Sequence, residues 1–149
     1  MKTSVTVRAA TATDHTAWAH LWRDYLGFYN TELPASTHTI TWQRLLNPAE
    51  PMHAALAEMG GRAVGLVHFI EHRSCWSPLN SLYLQDLFAE PDVRGGGVGR
   101  ALIEHVYAQA PRLGCGKVHW LTHESNGTAM QLYDRIADKP GFVHYRKNI

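Results

Sequence analysis

Arg94-Gly95-Gly96-Gly97-Val98-Gly99-Arg100 is the segment whose residue types and spacing point most directly to chemistry. Four glycines in five positions leave a backbone with no side chain in the way. Such a loop can turn several N–H groups toward one anion. Beyond it, Leu102, Ile103, Val106 and Ala110 recur at helical spacing, predicting a helix from Val98. The positive end of that helix would face the same anion, so phosphate binding is the chemistry that fits. A nucleotide-hydrolysing loop would end in Gly-Lys-Ser/Thr, whereas Gly99 is followed by Arg100-Ala101. The dinucleotide fingerprint fits poorly, because its third small residue falls on Leu102. A glycine turn that binds nothing and a simple nucleotide-phosphate binder remain as alternatives.

The elements that must hold this loop follow from the apolar pattern. Ser4 to Arg8 alternates, with Val5 and Val7 on one face, and predicts a short strand. Thr13 or Asp14 can cap a helix bearing Trp18, Leu21, Trp22, Tyr25, Leu26 and Tyr29, an unusually aromatic face. Ser36 can cap a second helix with Ile40, Leu45 and Leu46, ended by Asn47-Pro48. His53 to Glu58 and Ala63 to Glu71, around Gly60-Gly61, predict a hairpin. Ser74 to Asn80 is expected to be a loop, Ser81 to Ala89 a strand, and Lys117 to Thr122 another. Asn126 can cap a last helix carrying Ala129, Met130, Leu132, Tyr133 and Ile136. Pro140-Gly141 ends it, and Phe142 to Arg146 predicts a final strand. The order is β-α-α-β-β-β-α-β-α-β, a mixed α/β chain expected to form one domain over residues 1–149.

Composition narrows the function classes. A net charge of +1 argues against a nucleic-acid surface, and Arg94, Arg100 and Arg112 are too few and too spaced to make one. No apolar run approaches the ~18 residues of a membrane span, and Met1 to Val5 opens no apolar leader. Cys75 and Cys115 form no Cys-x-x-Cys and are expected as free thiols. The expectation is therefore a cytoplasmic protein with neither membrane nor nucleic acid as partner. His119 and His123 would share a face if their strand ran on, but two histidines without a third ligand predict no metal site. Neither cysteine has a local nucleophile signature, and no Gly-x-Ser-x-Gly occurs.

Arg94-x-x-Gly97-x-Gly99 resembles the Arg/Gln-x-x-Gly-x-Gly/Ala signature of the GNAT acyl-CoA N-acyltransferase superfamily. The resemblance runs back through Tyr83-Leu84-Gln85-Asp86-Leu87-Phe88-Ala89-Glu90-Pro91. It runs forward through Ala101-Leu102-Ile103, Asn126 and Ala129-x-x-Leu132-Tyr133. Within the superfamily the chain looks most like polyamine acetyltransferases and bacterial proteins similar to a yeast histone and D-amino-acid acetyltransferase. The resemblance implies a mostly antiparallel twisted sheet flanked by helices, with acetyl-CoA as acyl donor. It implies that the amides of Gly95, Gly96, Gly97, Val98, Gly99 and Arg100 bind the pyrophosphate, while Arg94 braces the loop or meets a phosphate. A strand bulge is implied to free the backbone of Leu87, Phe88 and Ala89 for the pantetheine arm, which lies there like an added strand. The Leu87 N–H would polarise the thioester carbonyl. Asn126 would contact the cofactor, a role compatible with N-capping. Tyr133 would protonate the departing thiolate; without the resemblance it is a core tyrosine.

The resemblance implies direct attack of a primary amine in a ternary complex. The acceptor is expected to be a small amine, an amino acid or a lysine-bearing peptide. The alternative is a non-catalytic module that senses acyl-CoA. That alternative draws on Gln85, which stands where polyamine acetyltransferases carry a glutamate and cannot accept a proton. Asp86 follows, but regular alternation would turn it to the opposite face. His68, Glu71, His119 and Glu124 are further candidate bases. Tyr25, Tyr29, Gln85, Asp86 and His119 are the candidate acceptor-binding residues, with Trp76 in the preceding loop. The short tail leaves room for one strand beside Lys117 to Thr122, and a homodimer is expected to cover the edge.

Overall fold

The computed structural model describes residues 4–149. Strand β1 is Val5–Ala9, helix α1 His15–Phe28 and helix α2 Ala35–Leu46. Strands β2, β3 and β4 are Met52–Met59, Arg62–His72 and Asn80–Ala89. Helix α3 is Val98–Arg112, strand β5 Cys115–His119 and helix α4 Gly127–Ile136. The strands stand in sequence order, antiparallel from β1 to β4 and parallel between β4 and β5.

The alternation of the strands divides the core in two. Ala55, Ala57, Val67, Phe69, Leu82 and Leu84 face α3, whose Val98, Leu102, Ile103, Val106 and Ala110 are buried against them. Leu132, Tyr133 and Ile136 of α4 pack on the same side. Leu56, Leu66 and Phe88 face α1, where Trp18, Leu21, Trp22 and Leu26 form the opposing layer. The predicted aromatic helix face is thus a core face. Gly65 lies where α3 comes closest to the sheet. A Cβ there would stand 2.7 Å from Val98 Cγ1 and 3.1 Å from Leu102 Cδ1 and the Phe88 carbonyl.

Several boundaries differ from the sequence reading. Pro34, not Ser36, precedes the first residue of α2. Asp14 stands before α1 but makes no cap bond to it; its carboxylate instead takes a bidentate pair from Arg8 at 2.7 and 2.8 Å and accepts the Thr11 N–H at 2.7 Å. The Arg8 guanidinium holds Asp14 well below the usual carboxylate range. Strand β5 begins at Cys115 and stops at His119, two residues earlier and three residues earlier than predicted, because only Asn80 to Tyr83 of β4 pair with it. His123 therefore lies in a loop, bonded to Ser125 at 2.6 Å, and does not share a strand face with His119.

The predicted final strand over Phe142 to Arg146 is not formed. Gly141 turns at φ +89°, and Phe142, Val143 and Tyr145 are 86%, 76% and 88% exposed. These side chains reach neither core, so nothing draws the tail onto the sheet. The outer edge of β5 has no partner strand among the described residues. Both cysteines are free, Cys75 exposed and Cys115 buried. No helix of the described residues is long and apolar enough to cross a membrane.

Replacing Gly65 with alanine should lower stability by about 1–3 kcal/mol, since α3 must back away from the new methyl. Thermal unfolding checks this; an unchanged Tm would show that Val98 and Leu102 yield freely.

Candidate active site

The site is built where two neighbouring strands part. β4 and β5 are paired from Asn80 to Tyr83, and beyond that β4 continues to Ala89 with β3 alone. One backbone edge of this stretch therefore has no strand beside it. The Glu90 N–H donates to the Val64 carbonyl on β3 at 2.8 Å. Strand backbones alternate, so Phe88 also turns toward β3, while Leu87 and Ala89 turn their N–H and C=O groups to the open edge. The Ala89 carbonyl is taken by Arg94 Nε at 3.2 Å, which leaves the Ala89 N–H.

The open edge leads into the glycine loop. Gly95 and Gly97 adopt φ of +83° and +86°, conformations that side chains rarely tolerate. Gly97 occupies the position before α3. Within the turn, the Gly96 N–H is engaged by the Val93 carbonyl. The N–H groups of Val98, Gly99 and Arg100, in the first turn of α3, have no helical acceptor. They are joined by the positive end of the α3 dipole. The Arg94 side chain is not free to meet a ligand on its own. It lies between Phe28 and Phe88, 5.6 and 5.8 Å from the ring centres, and braces the loop against β4. Arg100 Nε pairs with Glu104 at 2.9 Å.

The bulge in β4 lies upstream of its expected place. His68 pairs with Asp86 and Phe69 with Leu84, so Gln85 is the extra residue. Leu87, Phe88 and Ala89 are regular strand, paired with Val67, Leu66 and Gly65. The displaced bulge reverses the alternation. Leu84 faces α3, and a regular strand would have sent Asp86 there too; the extra residue turns Asp86 to the α1 side with Phe88. Gln85 and Asp86 consequently line one cavity of about 200 Å³ with Trp22, Thr41, Leu45 and His68. The expectation that the two residues serve opposite faces is corrected by that single insertion.

Sequence reasoning missed Trp18 and His68 as a pair. Trp18 Nε1 donates to His68 Nε2 at 3.0 Å, and His68 Nδ1 lies 2.9 Å from Asp86 Oδ2. The residues are 50 positions apart in the chain, and no local signal links them. Tyr25, on α1, is half-buried. Burial and the Asp86 charge hold its phenolic proton in place. Its ring lies 5.4 Å from Trp22 and 5.2 Å from Tyr29.

His119, at the end of β5, stacks on Tyr83 at 5.1 Å. Its Nε2 lies 2.8 Å from His72 Nε2, and His72 Nδ1 donates to the Arg73 carbonyl at 2.8 Å. The His72 Nε2 is then the acceptor, and the proton between the rings belongs to His119 Nε2. His119 Nδ1 is left as a free acceptor. Burial, His72 and Lys117 push His119 below the ordinary histidine value.

Tyr133, on α4, packs edge-on against Trp120 at 5.3 Å. Burial raises its phenol above the ordinary value, and Tyr29 from across the sheet adds to this. Asn126 stands at the start of α4, but its side chain makes no cap bond; its Nδ2 donates to Thr122 at 3.3 Å. Trp76 is 95% exposed, and its only recorded hydrogen bond runs from its backbone N–H to Ser74.

A diphosphate-bearing ligand with an extended, amide-containing arm fits this arrangement. The loop and helix end suit the anion, and the open edge suits the arm. The pattern of the Acetyltransferase (GNAT) family matches residues 15–137. The chain is 36% identical over 146 residues to D-amino-acid N-acetyltransferase HPA3 of Saccharomyces cerevisiae, covering 97% of this chain and 91% of that one. It is 30% identical over 99 residues to thialysine N-epsilon-acetyltransferase of Sus scrofa, covering 66% of this chain and 54% of that protein. The structure of AAC(6')-Iy in complex with the bisubstrate analog CoA-S-monomethyl-acetylneamine superposes with a TM-score of 0.82. That likeness covers 98% of this chain and 99% of that one at 20% identity, and is one of fold.

Proposed function

The chain belongs to the GNAT acetyltransferase family and is an acyltransferase, and from this we propose that it carries the acetyl group of acetyl-CoA to a primary amine by direct attack in a ternary complex. The observation that carries the reading is the open β4 edge running from Leu87 and Ala89 into the glycine loop. In this proposal the pyrophosphate lies on the amides of Gly95 and of Gly97 to Arg100, the Gly96 N–H being held by the Val93 carbonyl, and the pantetheine arm runs past Phe88 and pairs with Leu87 and Ala89, because Phe88 turns its backbone to β3. Arg94 holds the loop in shape, and Asn126 meets the arm from the start of α4.

The chemistry needs little more than position and two proton transfers. The nitrogen lone pair attacks the thioester carbonyl carbon, whose oxygen is polarised by the Leu87 N–H. The C–N bond forms and the C–S bond breaks. The sulfur leaves as a thiolate and takes the proton of Tyr133, whose raised phenol is protonated at neutral pH. The surplus proton of the nitrogen goes to His119 Nδ1 and returns through water to the Tyr133 oxygen, so both groups are restored. The acceptor enters beside Tyr25 and Tyr29, above Gln85 and Asp86. Small amines and amino acids are its class; the names of the yeast and pig relatives support that choice. The proposal also takes the open β5 edge and the exposed Phe142, Val143 and Tyr145 as the surface that a second copy covers.

Tyr133→Phe should cut turnover by about 10²–10⁴-fold while leaving acetyl-CoA affinity unchanged by calorimetry. Unchanged turnover would remove the acid role. Gly97→Val should weaken acetyl-CoA binding well beyond tenfold, roughly more than 1.4 kcal/mol, because φ +86° is closed to valine. Equal affinity would remove the loop from the account. The acid limb of wild-type kcat, measured at saturating amine so that ionisation of the free amine does not enter, should lie below pH 6.5, since His119 must be neutral to accept and its value is lowered. A limb that persists in His119→Ala would assign it to another group.

A further inference from the structure

Three side chains of metal-ligating type converge where β4 ends. His20 and Asp24 stand four residues apart on α1 and so share one face of it. Glu90 is the first residue beyond β4 and opens the turn that leads to Arg94. One ligand atom of each lies within 4.8 Å of the other two. His20 Nε2 is 3.3 Å from Asp24 Oδ2 and 3.4 Å from Glu90 Oε1. Both distances exceed the roughly 2.9–3.0 Å at which N–H···O bonds settle, and one ring hydrogen can be aimed at only one acceptor. The imidazole nitrogen stands between two carboxylates rather than on either.

Those separations have a chemical meaning. Zinc binds a histidine nitrogen at about 2.0–2.1 Å and a carboxylate oxygen at about 2.0–2.2 Å, so neighbouring ligand atoms of its tetrahedron stand about 3.3–3.5 Å apart. His72 and His119 supply the contrast: their Nε2 atoms are 2.8 Å apart, a hydrogen-bond distance too short for two ligands of one ion. A second observation comes from the surroundings. His20 and Glu90 line a cavity of about 390 Å³ with Arg62, Ala63, Pro91 and Asp92, which leaves space for a water in the fourth position. Arg62, the arginine on its wall, is taken by Asp92 at 2.9 Å. Glu90 is the most enclosed of the three, its side chain 13% exposed, and among the described residues its ionic neighbour is His20 alone. Two carboxylates across one imidazole repel each other, and a divalent cation at their centre reverses that. A nitrogen with two carboxylates suits zinc better than calcium or magnesium, which take oxygens.

We propose that His20, Asp24 and Glu90 form a zinc site, with water as the fourth ligand, that staples α1 to the end of β4. The histidine coordinates through Nε2 and keeps its proton on Nδ1. The ion takes no part in acyl transfer. It fixes against α1 the residue that follows Ala89, from which the chain departs toward the glycine loop. The site is built from residues that the acetyl-transfer reading does not use, and it stands independently of that reading.

The test is calorimetric titration of the untagged protein with zinc near neutral pH, with thermal unfolding across the same series. Zinc should bind one ion to one chain, and the Tm should rise with zinc concentration, because only the folded chain brings Glu90 to α1. His20→Ala, Asp24→Asn and Glu90→Gln should each weaken zinc about tenfold or more and abolish the rise in Tm. His20 and Asp24 are exposed, so their variants keep the fold and carry the test even if Glu90→Gln does not. Cobalt in place of zinc should give the intense visible bands of a four-coordinate site in the wild type and lose them in the three variants. Magnesium and calcium should neither bind nor move the Tm. His72→Ala should bind zinc as the wild type does; a loss there would move the ion to His72 and His119 and overturn the proposal. Zinc held as tightly by Glu90→Gln as by the wild type would leave a surface pair on α1 and overturn the staple. Calcium bound as well as zinc, or no zinc bound at all, overturns the site.

Discussion

β4 and β5 part after Tyr83, and the site depends on that separation. A strand that loses its neighbour leaves N–H and C=O groups to be satisfied by something else. Most proteins blunt such edges, since they invite unwanted pairing. Here α3 and α4 pack on one face of the sheet and α1 on the other, and the edge ends at a glycine loop and a helix N-terminus. The length of the gap, from Leu84 to Ala89, is a consequence of where pairing stops rather than of any one side chain. The helices carry the burden of holding it open. α3 is pressed to the sheet over Gly65, and Arg94 ties the loop to the Ala89 carbonyl.

One inserted residue then decides the electrostatics. Gln85 reverses the facing of Asp86, moving a carboxylate from an aliphatic core to an aromatic cavity wall. In the core of α3 that charge would have been unaffordable. On the α1 side it lies 2.9 Å from His68, and its charge helps to hold the phenolic protons of Tyr25 and Tyr83. Trp18 donates to the far side of the histidine ring. The large α1 aromatics therefore act both as core and as the setting for a charge. On the opposite side of the gap, Tyr133 and His119 have neighbours that hold one protonated and the other neutral.

Much of this was legible in the chain. The helix stripes, the hairpin and the glycine loop follow from periodicity and glycine placement, which are local properties. The family was readable from Arg94-x-x-Gly97-x-Gly99 and its flanks. What was not legible depends on register. The position of the bulge cannot be read from Tyr83 to Ala89, because a slip of one residue leaves the sequence pattern intact and inverts the faces. The Trp18–His68 contact bridges 50 residues and needs the fold to exist first. The tail misled because Phe142, Val143 and Tyr145 have strand-forming side chains, yet a strand also needs a partner and a core to cover. Asn126 misled in a smaller way: its position is that of a cap, but its side chain bonds to Thr122 instead.

The most direct test of the account is free-thiol release from acetyl-CoA by the wild-type protein, scanned across polyamines, L- and D-amino acids, aminoglycosides and a lysine-rich peptide. The account predicts thiol release with at least one amine class, in step with formation of the acetylated amine. Tight acetyl-CoA binding with silence across every class would contradict it and put the acyl-CoA-sensing module in its place.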